Sequence, residues 1–523
     1  MTINTSRRNF LRGLGGAGLF AIGGCKCPFG CQKIKLAAVG VNGKGYSDWT
    51  PMLKSGFVEI VALCDADYTQ RDMVARKLAV DGIDFDVYSV PFYTDYRKLL
   101  DDAGILGIEA MTISTPDHVH APVAIGAMKQ GIHVYVQKPL VRTLWELDYF
   151  NRTAKDNGVI VQMGNQGSSL DSMRRCTEVI QSGLLGDVKE VHVWTNRAVW
   201  PQGKGVAEYV KAHPKGDKVR DGLNWDAWLA TAKKRPFLDK YPKDAKVYDP
   251  WHLGANVYHR FTWRGFLDFG AGAFGDMACH TMNLPFRGLE LEGVSNAECV
   301  KIMEKNDVAY PARSIVKLTY KARASKVREG AYLPPVELYW YDGYDESKPT
   351  KSAMKPPKEI MPKVIATYGE IPNTGCYIIG TKGAVLMQDD YGGKCALAMN
   401  DDAKFEDIFK HEAAKAVERS IPFCSGSAPA ADGKSTVEMK GFAMGHYLEF
   451  VNAIRGEGPV YAQTHSRCFS DIEYCIPQME GILVGCIAQQ VPGKLNWNAE
   501  TQMFDNNAAN ALVRPFIRQG WEF

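Results

Sequence analysis

The segment Gly40-Val41-Asn42-Gly43-Lys44-Gly45 sets glycines at both ends of a short turn, with Asn42 where a dinucleotide-binding turn carries its middle glycine. In such a turn the first glycine allows the tight bend. The middle one lets backbone approach a pyrophosphate, and the last lets helix and strand pack closely. Asparagine tolerates unusual backbone angles, and Gly43 follows at once, so the turn is retained. The chemistry is diphosphate binding at a helix N-terminus, where free amides attract anions. Asp65 closes the next apolar run. A carboxylate there accepts hydrogen bonds from both adenine-ribose hydroxyls and repels a 2′-phosphate, so NAD is favoured over NADP. Thr115-Pro116 stands where a strand-end loop crosses the nicotinamide side of such a crevice. The same two residues also suit an N-cap and a first-turn proline.

These residues need strands that end at one edge. Apolar runs at 34–40, 57–65, 108–115, 133–139 and 159–165 alternate with helical patterns, including 68–80, 117–130 and 143–157. That alternation predicts a doubly wound parallel sheet with right-handed crossovers. Beyond residue 166 the rhythm changes to β-rich runs at 188–196, 314–322, 335–343 and 376–388, which suit a mostly antiparallel sheet. Residues 197–266 read as long loops rich in Trp, Tyr, His, Pro and Lys, and 345–363 as an exposed excursion. The expected fold class is α/β. A Rossmann domain at 33–165 follows a signal and linker at 1–32. An α/β domain with a large, mostly antiparallel sheet spans 166–490, and a C-terminal segment at 491–523 packs back on the body.

A composition of 46% hydrophobic and 23% charged residues is that of a globular protein, and a net charge of +3 over 523 residues supplies no basic stripe for nucleic acid. Thirteen cysteines form no Cys-x-x-Cys pair, and Cys64, Cys279, Cys376 and Cys486 lie in apolar runs. They read as buried thiols, with neither a disulfide frame nor a metal site. The block Ser6-Arg7-Arg8-Asn9-Phe10-Leu11-Arg12 has the form of a twin-arginine export signal. The apolar run after it, 14–24, is too short to span a bilayer, and no other segment is apolar enough to do so. Cleavage after Gly23 and lipidation of Cys25 are the two alternatives, so the expected location is periplasmic or lipid-anchored.

The run TISTPDHVHAPVAIGAMKQGIHVYVQKPL, 112–140, resembles the Gfo/Idh/MocA family of glucose–fructose oxidoreductase and inositol dehydrogenase relatives. The stretches at 191–203, 225–228, 263–280 and the C-terminal IRQGWEF resemble a twin-arginine-exported branch of it. The resemblance covers nearly the whole chain and is specific as to family, much less so as to substrate. It implies a Rossmann domain, an open-sheet domain and a substrate pocket between them. It also implies catalysis by Lys138 of the Lys-Pro motif with Asp276-x-x-x-His280, and packing of the open sheet in a homo-oligomer. Members typically show Glu-Lys-Pro where this chain has Gln137-Lys138-Pro139, so a negative charge beside the lysine is missing.

Those residue types suit hydride removal from a carbinol. On a helix, Asp276 and His280 share a face. An imidazole can take the hydroxyl proton, and Lys138 can stabilise the negative charge developing on the oxygen. Burial and a neighbouring NAD⁺ would lower the lysine's pKa enough for it to share in proton transfer. Asp276 is expected to bond a neighbouring hydroxyl or to orient His280. Taken without the family, Asp276 reads as a helix cap and His280 as a satisfied buried histidine.

Trp194, Trp200, Trp225, Trp228, Trp251, Tyr258, His259, Trp263 and Arg264 crowd one segment and suit a sugar or polyol pocket, although Trp225 and Trp228 equally suit a core. Substrate contacts are expected from Trp263 and Arg264, and from Asn165 and Gln166 at the domain junction. NAD is scarce outside the cytoplasmic membrane, so an exported enzyme of this type is expected to hold its cofactor and return the hydride. Three readings follow: an oxidoreductase acting on a sugar, polyol or glycoside; a redox-neutral enzyme that cleaves glycosides by oxidation and elimination; and a catalytically silent carbohydrate-binding relative.

Overall fold

β1 (Ile34–Val39) is apolar and buried along almost its whole length, the pattern of a parallel strand covered on both faces. It pairs in parallel with β2 (Val58–Cys64) and with β4 (Ala110–Ile113). β3 (Phe92–Tyr93), β5 (His133–Val136) and β6 (Val161–Met163) complete a sheet of order β3-β2-β1-β4-β5-β6, a doubly wound arrangement whose reversal lies beside β1. The computed structural model describes residues 33–523 except 246, 248–255, 346–347, 353, 425, 430–435 and 440–443. The export block, Cys25 and Trp251 lie outside the described residues.

β7 (Val188–Trp194), β8 (Val294–Met303) and β9 (Arg313–Tyr320) belong to a second sheet of ten strands. One pair, β7 with Val336–Asp342, is parallel. The remaining pairs are antiparallel. The run expected at 376–388 is two strands, Gly375–Gly380 and Gly383–Met387, joined as a hairpin. Phe274 stacks on Trp340 of this sheet at 4.8 Å between ring centroids, which seats the Gly272–Thr281 helix. The Ile472–Ala488 helix lies against that helix, and Gly485 leaves room for Phe274, whose ring is 2.1 Å from where a Cβ would stand.

Three features depart from the expected organisation. Residues 197–266 are not merely loops. They carry the Lys204–Ala212 and Trp225–Leu229 helices and an aromatic core of their own, with Trp225 and Trp228 stacked at 4.7 Å. The Gly445–Ile454 helix, far along the chain, packs on the Rossmann half, where Tyr447, Phe450 and Val451 share a core with Leu36 and Trp49. The excursion at 345–363 is partly packed, with Met354 and Met361 buried. The C-terminal segment places Lys494–Asn498 in the second sheet and returns Trp521 to Tyr96 of the Rossmann half. Every described cysteine is unpaired, and all but Cys299 are buried. Among the described residues no helix is long and apolar enough to cross a membrane.

Candidate active site

The turn after β1 has the backbone that a dinucleotide cradle needs. Gly40 adopts φ +78°, and a Cβ there would lie 2.4 Å from the Ser114 carbonyl. A Cβ on Gly45 would strike the Gly40 carbonyl at 1.7 Å, so strand and helix meet as closely as the motif requires. Gly43, φ +57°, faces open space, with no atom within 4 Å of a Cβ position. Asn42 is tied back, its amide donating to Gln70 at 2.8 Å and its oxygen accepting from the Gly43 N–H at 2.7 Å. Gly43 therefore supplies the bare backbone one residue later than the usual pattern, and the Lys44–Lys54 helix begins directly after it.

These residues open into a cavity of about 1030 Å³ that continues past the ends of β1, β4 and β5. Asp65 lies on its wall and accepts N–H bonds from Val41 at 3.2 Å and Asp67 at 3.0 Å. Burial, partly offset by those bonds, pushes its carboxyl up to about 6. Thr115 and Pro116 line the same cavity, and the Thr115 hydroxyl caps no helix: the Asp117–Met128 helix starts after Pro116. Open backbone at Gly43, helix amides and an acceptor at Asp65 together fit NAD.

At the other end, Lys138 Nζ lies 2.9 Å from Asp276 Oδ1 and donates to the Asp276 carbonyl at 3.0 Å. Arg264 Nε approaches the same carboxylate oxygen at 3.0 Å. Burial would raise the Asp276 carboxyl, but the Lys138 and Arg264 cations outweigh it and hold it near 2. His280, one turn further along, is buried; burial first, then the Lys138 charge, hold its pKa well below the ordinary imidazole value. Its Nδ1 has no hydrogen-bond partner among the described residues, and its ring meets Tyr391 edge-on at 4.8 Å. The lysine from the nucleotide-binding half and the histidine from the other half thus face one cavity.

The structure corrects several expectations. Asp276 makes no hydrogen bond to His280; it pairs with Lys138 and Arg264. Arg264 lies on the cavity wall, held by Asp276 and with the faces of Phe261 and Trp263 each 4.3 Å from its guanidinium carbon. Asn165 is wholly buried and absent from the cavity wall, whereas Gln166 and Trp263 are on it. Trp194 and Tyr258 are core residues. Three groups that sequence reasoning missed also shape the site. Asp48 gathers hydrogen bonds beneath the turn, and Tyr391 faces His280. Asp117, buried with both carboxyl oxygens without a hydrogen-bond partner among the described residues, is pushed up by burial and then by the Asp276 charge. Only Asp48 had a local signal, its i,i+4 spacing from Lys44.

Residues 34–165 match the Gfo/Idh/MocA family, described as an oxidoreductase family with an NAD-binding Rossmann fold. Among curated proteins, the chain is 29% identical over 174 residues to a glycosyl hydrolase family 109 protein of Akkermansia muciniphila, covering 32% of this chain and 34% of that protein. It is 26% identical over 161 residues to an inositol 2-dehydrogenase of Salmonella typhimurium, covering 31% of this chain and 44% of that one. The match thus spans less than half of these relatives' length. A crystal structure of an inositol dehydrogenase homolog from Azotobacter vinelandii, complexed with NADH and myo-inositol, shares the fold with a TM-score of 0.54 at 16% identity, over 90% of this chain and 98% of that one.

Proposed function

With residues 34–165 matching the model of a family of NAD-binding Rossmann-fold oxidoreductases, we propose that the protein is an enzyme of the Gfo/Idh/MocA type that takes hydride from a hydroxyl-bearing carbon of a sugar, polyol or glycoside. One observation carries this reading: Lys138, paired with Asp276 at 2.9 Å, and a neutral His280 face the cavity that also holds Gly43 and Asp65. Gly40, Asn42, Gly43, Gly45 and Asp65 would hold the dinucleotide, with Thr115, Pro116 and Gln137 nearer its nicotinamide. Bound NAD would supply the hydride acceptor.

The protein's own groups do the acid–base work. His280, kept neutral by burial and by the Lys138 charge, accepts the substrate hydroxyl proton. Lys138 donates a hydrogen bond to the oxygen that is losing that proton, and Asp276 pairs with both Lys138 and Arg264 in the buried site. The twin-arginine block supports export in the folded state with NAD resident, and the resemblance supports a homo-oligomer.

The similarity to a glycosyl hydrolase family 109 protein favours a second reading, a redox-neutral glycoside cleavage that begins with the same oxidation. Purified protein should be denatured and its released ligand identified by mass. Reduced-nicotinamide absorbance is then followed as sugars, polyols and glycosides are added, with free aglycone measured in parallel. Substitution Lys138→Ala should slow the appearance of reduced cofactor by about two to four orders of magnitude. Reduction at an undiminished rate in that variant refutes the assignment. Aglycone release without net reduction selects the second reading.

A further inference from the structure

Asp48 is fully buried one turn into the helix that follows the nucleotide turn. Its Oδ2 accepts from Ser114 at 2.7 Å and from the Gln137 amide at 2.9 Å. Its Oδ1 faces Lys44 Nζ at 2.5 Å and accepts from the Tyr447 hydroxyl at 3.0 Å. All four partners line the cavity themselves: Lys44, Ser114 next to Thr115, Gln137 next to Lys138, and Tyr447 from the distant Gly445–Ile454 helix. A carboxylate only accepts, so the Gln137 nitrogen must be the atom facing it. The seat is tight as well, because a Cβ on Gly164 would lie 2.4 Å from that nitrogen and 3.0 Å from the amide oxygen.

We propose that Asp48 is the positioning residue of the catalytic turn: its carboxylate holds Gln137, and with it the segment presenting Lys138, and it is the reason position 137 carries an amide. A glutamate at 137 would bring a second carboxylate to hydrogen-bonding distance of Asp48, and two such groups cannot both ionise without strong repulsion. A carboxylate does stand behind the Lys-Pro motif, on the helix instead of at the strand end, bonded to Gln137 and paired with Lys44. The titratable groups facing it are Lys44 on its own helix, Tyr447 opposite, and Tyr135 of β5, whose phenol is pushed up by burial and then by the Asp48 charge.

The inference rests on the catalytic reading of Lys138, and a charge-swap series separates the two. Gln137→Glu, Asp48→Asn and the double variant are prepared as full-length protein, with NAD⁺ affinity, kcat and KM measured from mildly acid to mildly alkaline pH. Gln137→Glu should lose about tenfold or more in kcat at alkaline pH and recover toward acid, as the paired carboxyls take up one proton. Asp48→Asn should lose a similar factor without that pH dependence. The double variant should return to within a few-fold of the parent with a flat profile. A Gln137→Glu protein indistinguishable from the parent, or a double variant no better than its worse single, overturns the proposal. Should Gln137→Glu fail to fold, the double variant decides, a folded NAD-binding protein supporting the proposal and an unfolded one refuting it. If no sugar or glycoside reduces NAD in the parent, the catalytic reading falls, and the Asp48–Gln137 contact is still tested by stability. Gln137→Glu should unfold more readily at alkaline than at mildly acid pH and the double variant should not, while equal stability of the single and double variants overturns it.

Discussion

Asp65 and Asp276 are both buried carboxyls, yet their surroundings drive them in opposite directions. Asp276 has two cations against it and stays ionised far below neutral pH. For Asp65 burial outweighs the Asp67 and Val41 N–H bonds and the His259 charge, and its carboxyl sits near 6. Under the proposed function, ribose hydroxyls and a proton compete for the same Asp65 oxygens on the cavity wall. The proton wins as pH falls through the free protein's value, so NAD affinity should hold above about pH 6 and weaken below it by up to about tenfold per unit. Asp65→Asn should bind NAD more weakly at neutral pH and lose that dependence. Fluorescence titration of NAD at a series of pH values measures both. An affinity that stays constant through pH 6 in the parent would remove Asp65 from the nucleotide site.

At the scale of elements, the aromatic segment between β7 and the Gly272–Thr281 helix changes the picture most. It closes on the end of β2: Asn224 N–H donates to the Ala66 carbonyl and Tyr68 N–H to the Gly222 carbonyl, each at 2.8 Å. His259 Nε2 meets Asp67 Oδ2 at 3.2 Å, two residues from Asp65. Burial works against the Asp67 charge, but bonds from His259, Thr69 and Gln70 hold its carboxyl well below the ordinary range. The segment thus roofs the nucleotide end of the cavity, with His259 and Trp228 on its wall. His259→Ala should speed exchange of bound NAD by about tenfold, the loss of one charge-assisted hydrogen bond. Release of cofactor on gel filtration, timed for parent and variant, checks it; equal retention would mean that this contact holds nothing. None of the roof was legible as structure in the sequence, because its core joins aromatics at irregular spacing and shows neither helical nor strand period. β8 was missed for a related reason: register shifts at Val294/Asn296 and Cys299/Lys301 break its alternation. β1, β2, β4, β5 and β6 were legible because their runs are short, apolar and evenly interrupted. Lys138, Asp276 and His280 were picked out through the family resemblance, since by residue type and spacing alone Asp276 reads as a helix cap and His280 as a buried histidine. The Asp48–Tyr447 bond joins residues 399 apart and has no local signature.

At the scale of the whole molecule, the last residues brace the roof against the Rossmann half. Arg518 donates through its backbone N–H to the Thr231 carbonyl and through Nε to the Ala230 carbonyl, each at 3.0 Å, and pairs with Asp226, all beside the helix that carries Trp228. Three residues on, Trp521 is buried against Tyr96, with the Arg97 guanidinium 3.6 Å above its ring. Arg97 also donates to the Gly520 carbonyl at 2.8 Å, and Phe523 stacks on Tyr149 at 6.2 Å. A single tail therefore spans from the roof to two helices of the nucleotide-binding half, and its anchor is one indole. Trp521→Ala should cost about 3 kcal/mol or more of stability, the usual loss for a buried large aromatic. Because the tail holds the roof, bound NAD should also leave faster, although Trp521 is absent from the cavity wall. Urea unfolding measures the first effect and cofactor release the second. A variant that loses stability yet retains NAD as the parent does would show the roof to be held by the β2 contacts alone, leaving the tail a purely structural clasp.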